Sequence, residues 1–283
     1  MMINRLEKGP LLAATLAIAG LYAAPAAADP TPECNVGMGS QSTECGVDAA
    51  AGGVGATAVG NVSSATADES TAVGEQSLAS GLRSSAIGSE ATATATGANA
   101  FGWQARATSN FTLAAGHQAL ASGLNATAVG PFTQATGMGA TALGNAALAT
   151  QAGTVALGVR ATASAANGTA VGALSTASGV GSTAIGRAAI ASFDGSTAIG
   201  TGAATTAVNQ VALGAAGSSV RIGDIVASTT AQSGPVAVAT VDANGTLGQD
   251  TNLIPTVAAL QTASAAQASQ LGSLLSSSTL LGG

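Results

Sequence analysis

Glycine recurs every fourteen residues through the middle of this chain, and no other feature restricts the fold as tightly. The series runs Gly60, Gly74, Gly88, Gly102, Gly116, Gly130, Gly144, Gly158, Gly172, Gly186, Gly200 and Gly214 without an insertion or deletion, and Gly46 extends it backwards. Two residues before each of the twelve stands Ala, from Ala58 to Ala212. The residue just before the Gly is large and apolar in all but one unit: Val59, Val73, Ile87, Phe101, Val129, Leu143, Leu157, Val171, Ile185, Ile199 and Leu213, with Ala115 the exception. Ala returns five residues after the Gly, from Ala65 to Ala191, and Ser or Thr follows it. A fixed short period gives every unit the same contacts with its neighbours, which is the logic of a solenoid. Helical repeats are longer. Fourteen residues accommodate two short strands, alternating at period two, and two tight turns. One turn falls at the Gly, whose missing Cβ opens conformations closed to other residues. The other falls near the half-repeat, where Gly81, Gly123, Gly137 and Gly179 stand. The expected fold is all-β, a narrow parallel β-roll whose coils stack about 4.8 Å apart.

Composition leaves few alternatives. Of 283 residues, 69 are Ala and 39 are Gly, while aromatics make up 2% and charged residues 7%, so a core of large side chains cannot form. Ala has the highest helix propensity, but evenly spaced Gly and β-branched residues oppose a helix. A disordered chain is charged and poor in apolar residues, whereas this one is 47% apolar. In so thin a roll, a Val or Ile row pointing into the lumen leaves room only for Ala on the facing strand. The second Ala row, two before each Gly, is then expected on the outer face, uniform because another backbone approaches it. A core one side chain thick favours burying a further face against copies of the same chain. A homo-oligomer is therefore expected, and the sequence leaves open which face is the lumen and which the contact between chains.

Little chemistry is visible. The net charge is −6 and Lys8 is the only lysine, so the basic patch that nucleic acids require is missing. His117 has no Cys or carboxylate in its repeat and reads as a lone surface histidine rather than a ligand or base. Gly-x-Gly at Gly137, Gly179 and Gly200 never completes Gly-x-Gly-x-x-Gly, the dinucleotide signature. Calcium-binding β-rolls need an Asp in every repeat, but the repeats from 60 to 214 hold only Asp68 and Asp194. A polysaccharide-cleaving solenoid needs paired carboxylates, and the adjacent Asp68 and Glu69 point to opposite faces of any strand. No metal, cofactor or catalytic residue is expected, and the chain reads as no enzyme. Phe101, Trp103, Phe111 and Phe132 gather in neighbouring coils and are expected to fill local gaps in the roll rather than form a sticky patch. Thr57, Thr71, Thr127, Thr141, Thr169, Thr183 and Thr197 form a row that suggests an ice-binding or surface-templating solenoid, but Ser85, Asn99, Leu113, Val155 and Val211 interrupt it.

The flanks differ from the repeats. Residues 1–28 read as a secretory signal peptide: Arg5 and Lys8, an apolar stretch over 11–22, and Ala26-Ala27-Ala28 before Asp29. Export leads to an oxidising compartment, where the two cysteines, Cys34 and Cys45, form a disulfide by default. Residues 29–45 then read as an N-terminal cap and 46–214 as the roll. Beyond Gly214 the period breaks, and 215–252 reads as a connector with a β element that turns at Asn244-Gly245. Over 253–283, heptad spacing puts Val257, Leu260, Leu271, Leu274 and Leu281 at core positions, with Ser264, Gln267 and Ser278 filling the others. This is a coiled-coil stub or a frayed tail.

Segments such as Ser70-Thr71-Ala72-Val73-Gly74, Ser85-Ala86-Ile87-Gly88, Ser182-Thr183-Ala184-Ile185-Gly186 and Ser196-Thr197-Ala198-Ile199-Gly200 resemble the head repeat of trimeric autotransporter adhesins, the YadA-like proteins of Gram-negative bacteria. Motif and period agree over about residues 46 to 214. The resemblance implies a left-handed β-roll, a homotrimer, display at the outer membrane, and attachment to host matrix, cells or abiotic surfaces. Complete members end in a long stalk and a membrane β-barrel with aromatic girdles. Here no aromatic follows Phe193, so the mature chain is expected to carry no membrane span, and to be a shortened gene product, a secreted head, or a piece that pairs with a separately encoded stalk and barrel. Adhesion ranks first among the functions considered.

Overall fold

The computed structural model describes residues 34–221, 238–243, 245–250 and 253–280. The signal-peptide reading of 1–28 and Asn244 of the expected turn lie outside the described residues. Two compact units meet between Val220 and Arg221.

The first unit is a parallel β-solenoid. Each coil gives a three-residue strand such as Thr57–Val59 to one sheet and a two-residue strand such as Ser64–Ala65 to the other. The first sheet holds fourteen strands and the second eleven, stacked in sequence order. Pairing shifts by one repeat, Thr57 beside Thr71 and Ala58 beside Ala72, with Ser64 beside Leu78 in the second sheet. Every residue therefore lies next to its own equivalents. Turn amides are also satisfied between coils: the Gly74 amide donates to Val59 O at 2.8 Å and the Gln76 amide to Asn61 O at 2.9 Å, so the turns leave few backbone groups without partners.

From Gly46 to Gly200 the repeat glycines have φ between +117° and +140°. A Cβ on Gly74 would stand 2.6 Å from backbone atoms of Gly88, so conformation and space both demand glycine. The half-repeat turn differs. Its left-handed residue comes two places after Gly81 or Gly123, at Arg83 and Asn125.

The lumen overturns the expected assignment of faces. The Ala row two before each Gly, Ala58 to Ala198, is fully buried within the single chain, and so is the row five after, Ala51 to Ala191. The large apolar row points outward instead, with Ile87 41% and Leu143 38% exposed. Small faces small, because two sheets joined by such tight turns lie so close that only methyl groups fit between them. Ala is uniform in both rows for that reason, and no partner chain is needed to explain it.

The corners beside the lumen obey a related rule. Ser77 Oγ donates to Gly74 O at 2.9 Å, Ser70 Oγ to Ala67 O at 2.6 Å, and Thr154 Oγ1 to Gln151 O at 2.6 Å. These buried hydroxyls are satisfied by the carbonyl three residues back, whereas Ser84 Oγ and Ser182 Oγ in the same row are buried without a partner. Both ends of the lumen are polar. Glu44 takes the Ala position beside Ala58, is 6% exposed, and accepts the Ala51 amide at 3.2 Å. Ala51 belongs to the terminal strand of its sheet, so the carboxylate supplies an acceptor where no earlier strand exists. At the other end Thr205, also 6% exposed, lies 3.1 Å from Ser196 through their hydroxyls.

Cys34–Val36 pairs antiparallel with Thr43–Cys45, and a disulfide joins Cys34 to Cys45 across the ends of this hairpin. Closing an eleven-residue separation should stabilise the N-terminal coils by about 2–3 kcal/mol through loop entropy. Reduction is expected to loosen those coils and leave later ones intact, since repeats cooperate mainly with neighbours. Thiol labelling of unreduced, denatured protein checks the bond, and two reactive thiols would contradict it.

In the second unit, Val238–Val241 pairs antiparallel with Leu247–Asp250, and Gly245 sits between them at φ +80°. A helix follows over Leu253–Leu280. The Leu253 amide donates to Asp250 Oδ1 at 3.1 Å, an N-terminal cap, and Pro255 occupies the first turn, where its missing N–H costs nothing. Val257, Leu260, Leu271 and Leu274 are exposed in the single chain. Among the described residues no helix is long and apolar enough to cross a membrane.

Candidate interaction surfaces

A lumen filled with methyl groups leaves all variable chemistry on the outside. Along the fourteen-stranded sheet, strands such as Thr183–Ile185 bury their middle residue, so the Thr row and the Val/Ile/Leu row share one outer face. The interrupted Thr row is thus half of a mixed face.

Trp103, His117 and Phe132 occupy the edge formed by the repeat-glycine turns, whereas Phe101 stands on the outer face of the fourteen-stranded sheet and Phe111 at the half-repeat turn. Trp103 and His117 are one repeat apart and stack with ring centroids 4.6 Å apart at 13°, a spacing set by that of the coils. Phe132 tilts against His117 at 4.7 Å. His117 is therefore an inner member of a stack and not a lone surface residue, and its Nε2 is buried without a hydrogen-bond partner. The expectation that the aromatics fill gaps in the roll fails: Trp103 is 49% and Phe111 64% exposed. Beside the stack runs a ladder of side chains. Gln118 Nε2 donates to Gln104 Oε1 at 2.6 Å, Gln104 Nε2 to Glu90 Oε2 at 2.8 Å, and Trp103 Nε1 to Glu90 Oε1 at 3.4 Å. With Arg106, Leu120 and Gln134 the ladder lines a shallow groove.

Three further carboxylates of the roll, Asp68, Asp194 and Glu69, have structural partners. Asp68 Oδ1 accepts the Val54 amide at 2.9 Å, and Asp194 Oδ1 accepts the Val180 amide at 2.8 Å. Each closes the half-repeat turn of the preceding coil. Glu69 pairs with Arg83 at 2.7 Å. The hydrogen bond from Arg83, and then its charge, hold the Glu69 carboxyl below its usual range, but both groups are exposed and the pair adds little stability. Among the described residues, no three His, Cys, Asp or Glu side chains come together.

An interior of alanine and small hydroxyl residues, with Glu44 and Thr205 at its two ends and the large side chains outside, defines a repeat-built scaffold that presents a surface. Residues 51–77, 79–105, 121–147, 149–175 and 177–203 match the family model of the YadA head domain repeat. The solenoid is a YadA-like head domain. Among solved structures, the chain is similar to the crystal structure of the collagen-binding domain of the Yersinia adhesin YadA, with 22% identity, 68% of this chain and 81% of that one covered, and a TM-score of 0.24. No curated protein matches the chain.

Proposed function

We propose that the roll is the head of an exported bacterial adhesin, assembled as a homotrimer, that attaches to extracellular matrix, cells or abiotic surfaces without turning over a substrate. The observation that carries this reading is the outer row from Val59 to Leu213, apolar in every coil and unsheltered on the single chain. A continuous apolar strip of this kind is a liability in water until another surface covers it, and a second and third copy present the same strip. In this reading 1–28 is removed, the disulfide hairpin within 29–45 caps the roll, 215–252 connects it, and the exposed leucines of the helix within 253–283 pack between chains.

Outward positions repeat once per coil and once per chain, so weak single contacts are multiplied by effective concentration. The head is expected to bind an immobilised matrix protein or solid support with little salt dependence, because charged residues are few. A monomeric variant should lose most of that apparent affinity, by about a hundredfold. Surface-binding assays on trimer and monomer decide the matter, with solution mass measured in parallel. A trimer that binds no matrix protein, cell or support, yet halts ice growth, would favour the Thr row as the functional face.

A further inference from the structure

We propose that the groove beside the aromatic stack binds a neutral polysaccharide chain, one sugar residue per coil; this deepens the adhesive reading and rests on it. One wall is the ladder Glu90, Gln104 and Gln118, and the other is Arg106, Leu120 and Gln134. Both walls are held rigidly. The ladder residues sit at the left-handed turn position, at φ +58°, +55° and +53°, and are bonded to one another. The second wall stands on the strands Arg106–Ala107, Leu120–Ala121 and Gln134–Ala135.

The chemistry of the walls selects the ligand. A side-chain amide both donates and accepts, and Gln104 and Gln118 each have an N–H beyond the one that the ladder uses, which suits a row of hydroxyl groups. One carboxylate and one guanidinium balance, so neither an acidic nor a basic polymer is favoured. Spacing separates a sugar chain from a peptide. Equivalent side chains recur about every 4.8 Å along the stack, whereas an extended peptide advances about 3.3 Å per residue and falls out of step. A pyranose in an extended chain advances by nearly one coil. Trp103 adds an apolar surface: one face stacks on His117, and the column one coil earlier carries Ser89, which has no ring to cover the other. Its indole N–H on Glu90 ties that ring to the groove wall. The second wall belongs to the eleven-stranded sheet, across the lumen from the Val/Ile/Leu face, so the groove stays open when that face is covered.

Calorimetric titration of the full chain with neutral oligosaccharides of two to six residues, a sulfated polysaccharide and an uncharged extended peptide tests this. Affinity for a neutral oligosaccharide is expected to rise with length up to about one residue per lining coil. Gln104→Ala with Gln118→Ala should weaken it roughly tenfold or more, Trp103→Ala should weaken it too, and Trp103→Phe should retain most of it. Leu174→Ala, in the same column but outside the groove, is the control. Thermal melts of each variant separate lost binding from lost folding. Preference for the sulfated polymer or the peptide, absence of any neutral-sugar binding, or equal binding by the double variant overturns the proposal. Adhesion to matrix protein and plastic is measured on the same preparations. Adhesion without sugar binding refutes the groove alone, and failure of all adhesion refutes the reading beneath it.

Discussion

Ala142→Asp is expected to destroy the roll around its coil, while Leu143→Asp, one residue on, is expected to give a folded roll that no longer assembles. Ala142 is fully buried between Ala128 and Ala156, and its methyl group meets other methyl groups across the lumen. A carboxylate there has no water, no donor and no space, at a cost of several kcal/mol. Stability in a linear array passes from neighbour to neighbour, so one broken coil divides the head in two. Leu143 is 38% exposed, and an Asp in its place stays hydrated in the single chain. In a trimer joined through this face the substitution sets like charges against one another. Melting curves and sedimentation measure the two effects. A wild-type melting temperature for Ala142→Asp would reverse the assignment of inside and outside, and an intact trimer for Leu143→Asp would remove this face from the contact between chains.

Deleting residues 145–158 is expected to cost a few degrees of melting temperature at most, whereas deleting 145–151 should abolish assembly and lower stability far more. The lumen does not make the difference. Its buried Ala rows lie seven residues apart, as Ala149 and Ala156 do, so a seven-residue shift still brings Ala to the lumenal positions as far as Ala191, and only the place of Ala198 receives Thr205. The turns make the difference. The shift carries Ala165 and Phe193 into the place of repeat glycines, whose φ lies near +125°, and each misplaced side chain adds on the order of 1–3 kcal/mol of backbone strain. It also sets Ser164, Ser178 and Ser192 where the outer row of the fourteen-stranded sheet requires large apolar residues. Equal losses in the two deletions would show that the turn glycines and the outer row do not fix the register.

The period, the strands and the turns were legible because each has a one-residue signature that recurs in step. Which face is the lumen was not, since alternation at period two reads the same from either side: in Thr57-Ala58-Val59 the pattern alone does not say whether the middle residue or its neighbours face in. A better guide was variability. Two rows held to Ala, seven residues apart, mark the space that admits least, while the row of Val, Ile, Leu, Phe and the single Ala115 tolerates five shapes because it faces outward. The aromatic stack was missed by reading His117 within its own repeat. Its distance of fourteen from Trp103 puts the two rings in adjoining coils, and the same spacing links Glu90, Gln104 and Gln118. Lateral neighbours in a solenoid are found by adding the period, and chemistry sought along the chain passes them by.

The hydrogen bonds that join coil to coil run along the stacking direction, which gives the roll a mechanical character. A pull along that direction loads every bond of one coil boundary at once, in both sheets and both turns, and loads successive boundaries in series. The force at failure is then set by the weakest boundary rather than by the sum, and added coils lengthen the roll without weakening it. The boundaries that depart from the common pattern lie where Glu44 and Thr205 replace the lumenal Ala. Rupture would begin at these ends, and at the first of them the Cys34–Cys45 bond already ties the strand pair together.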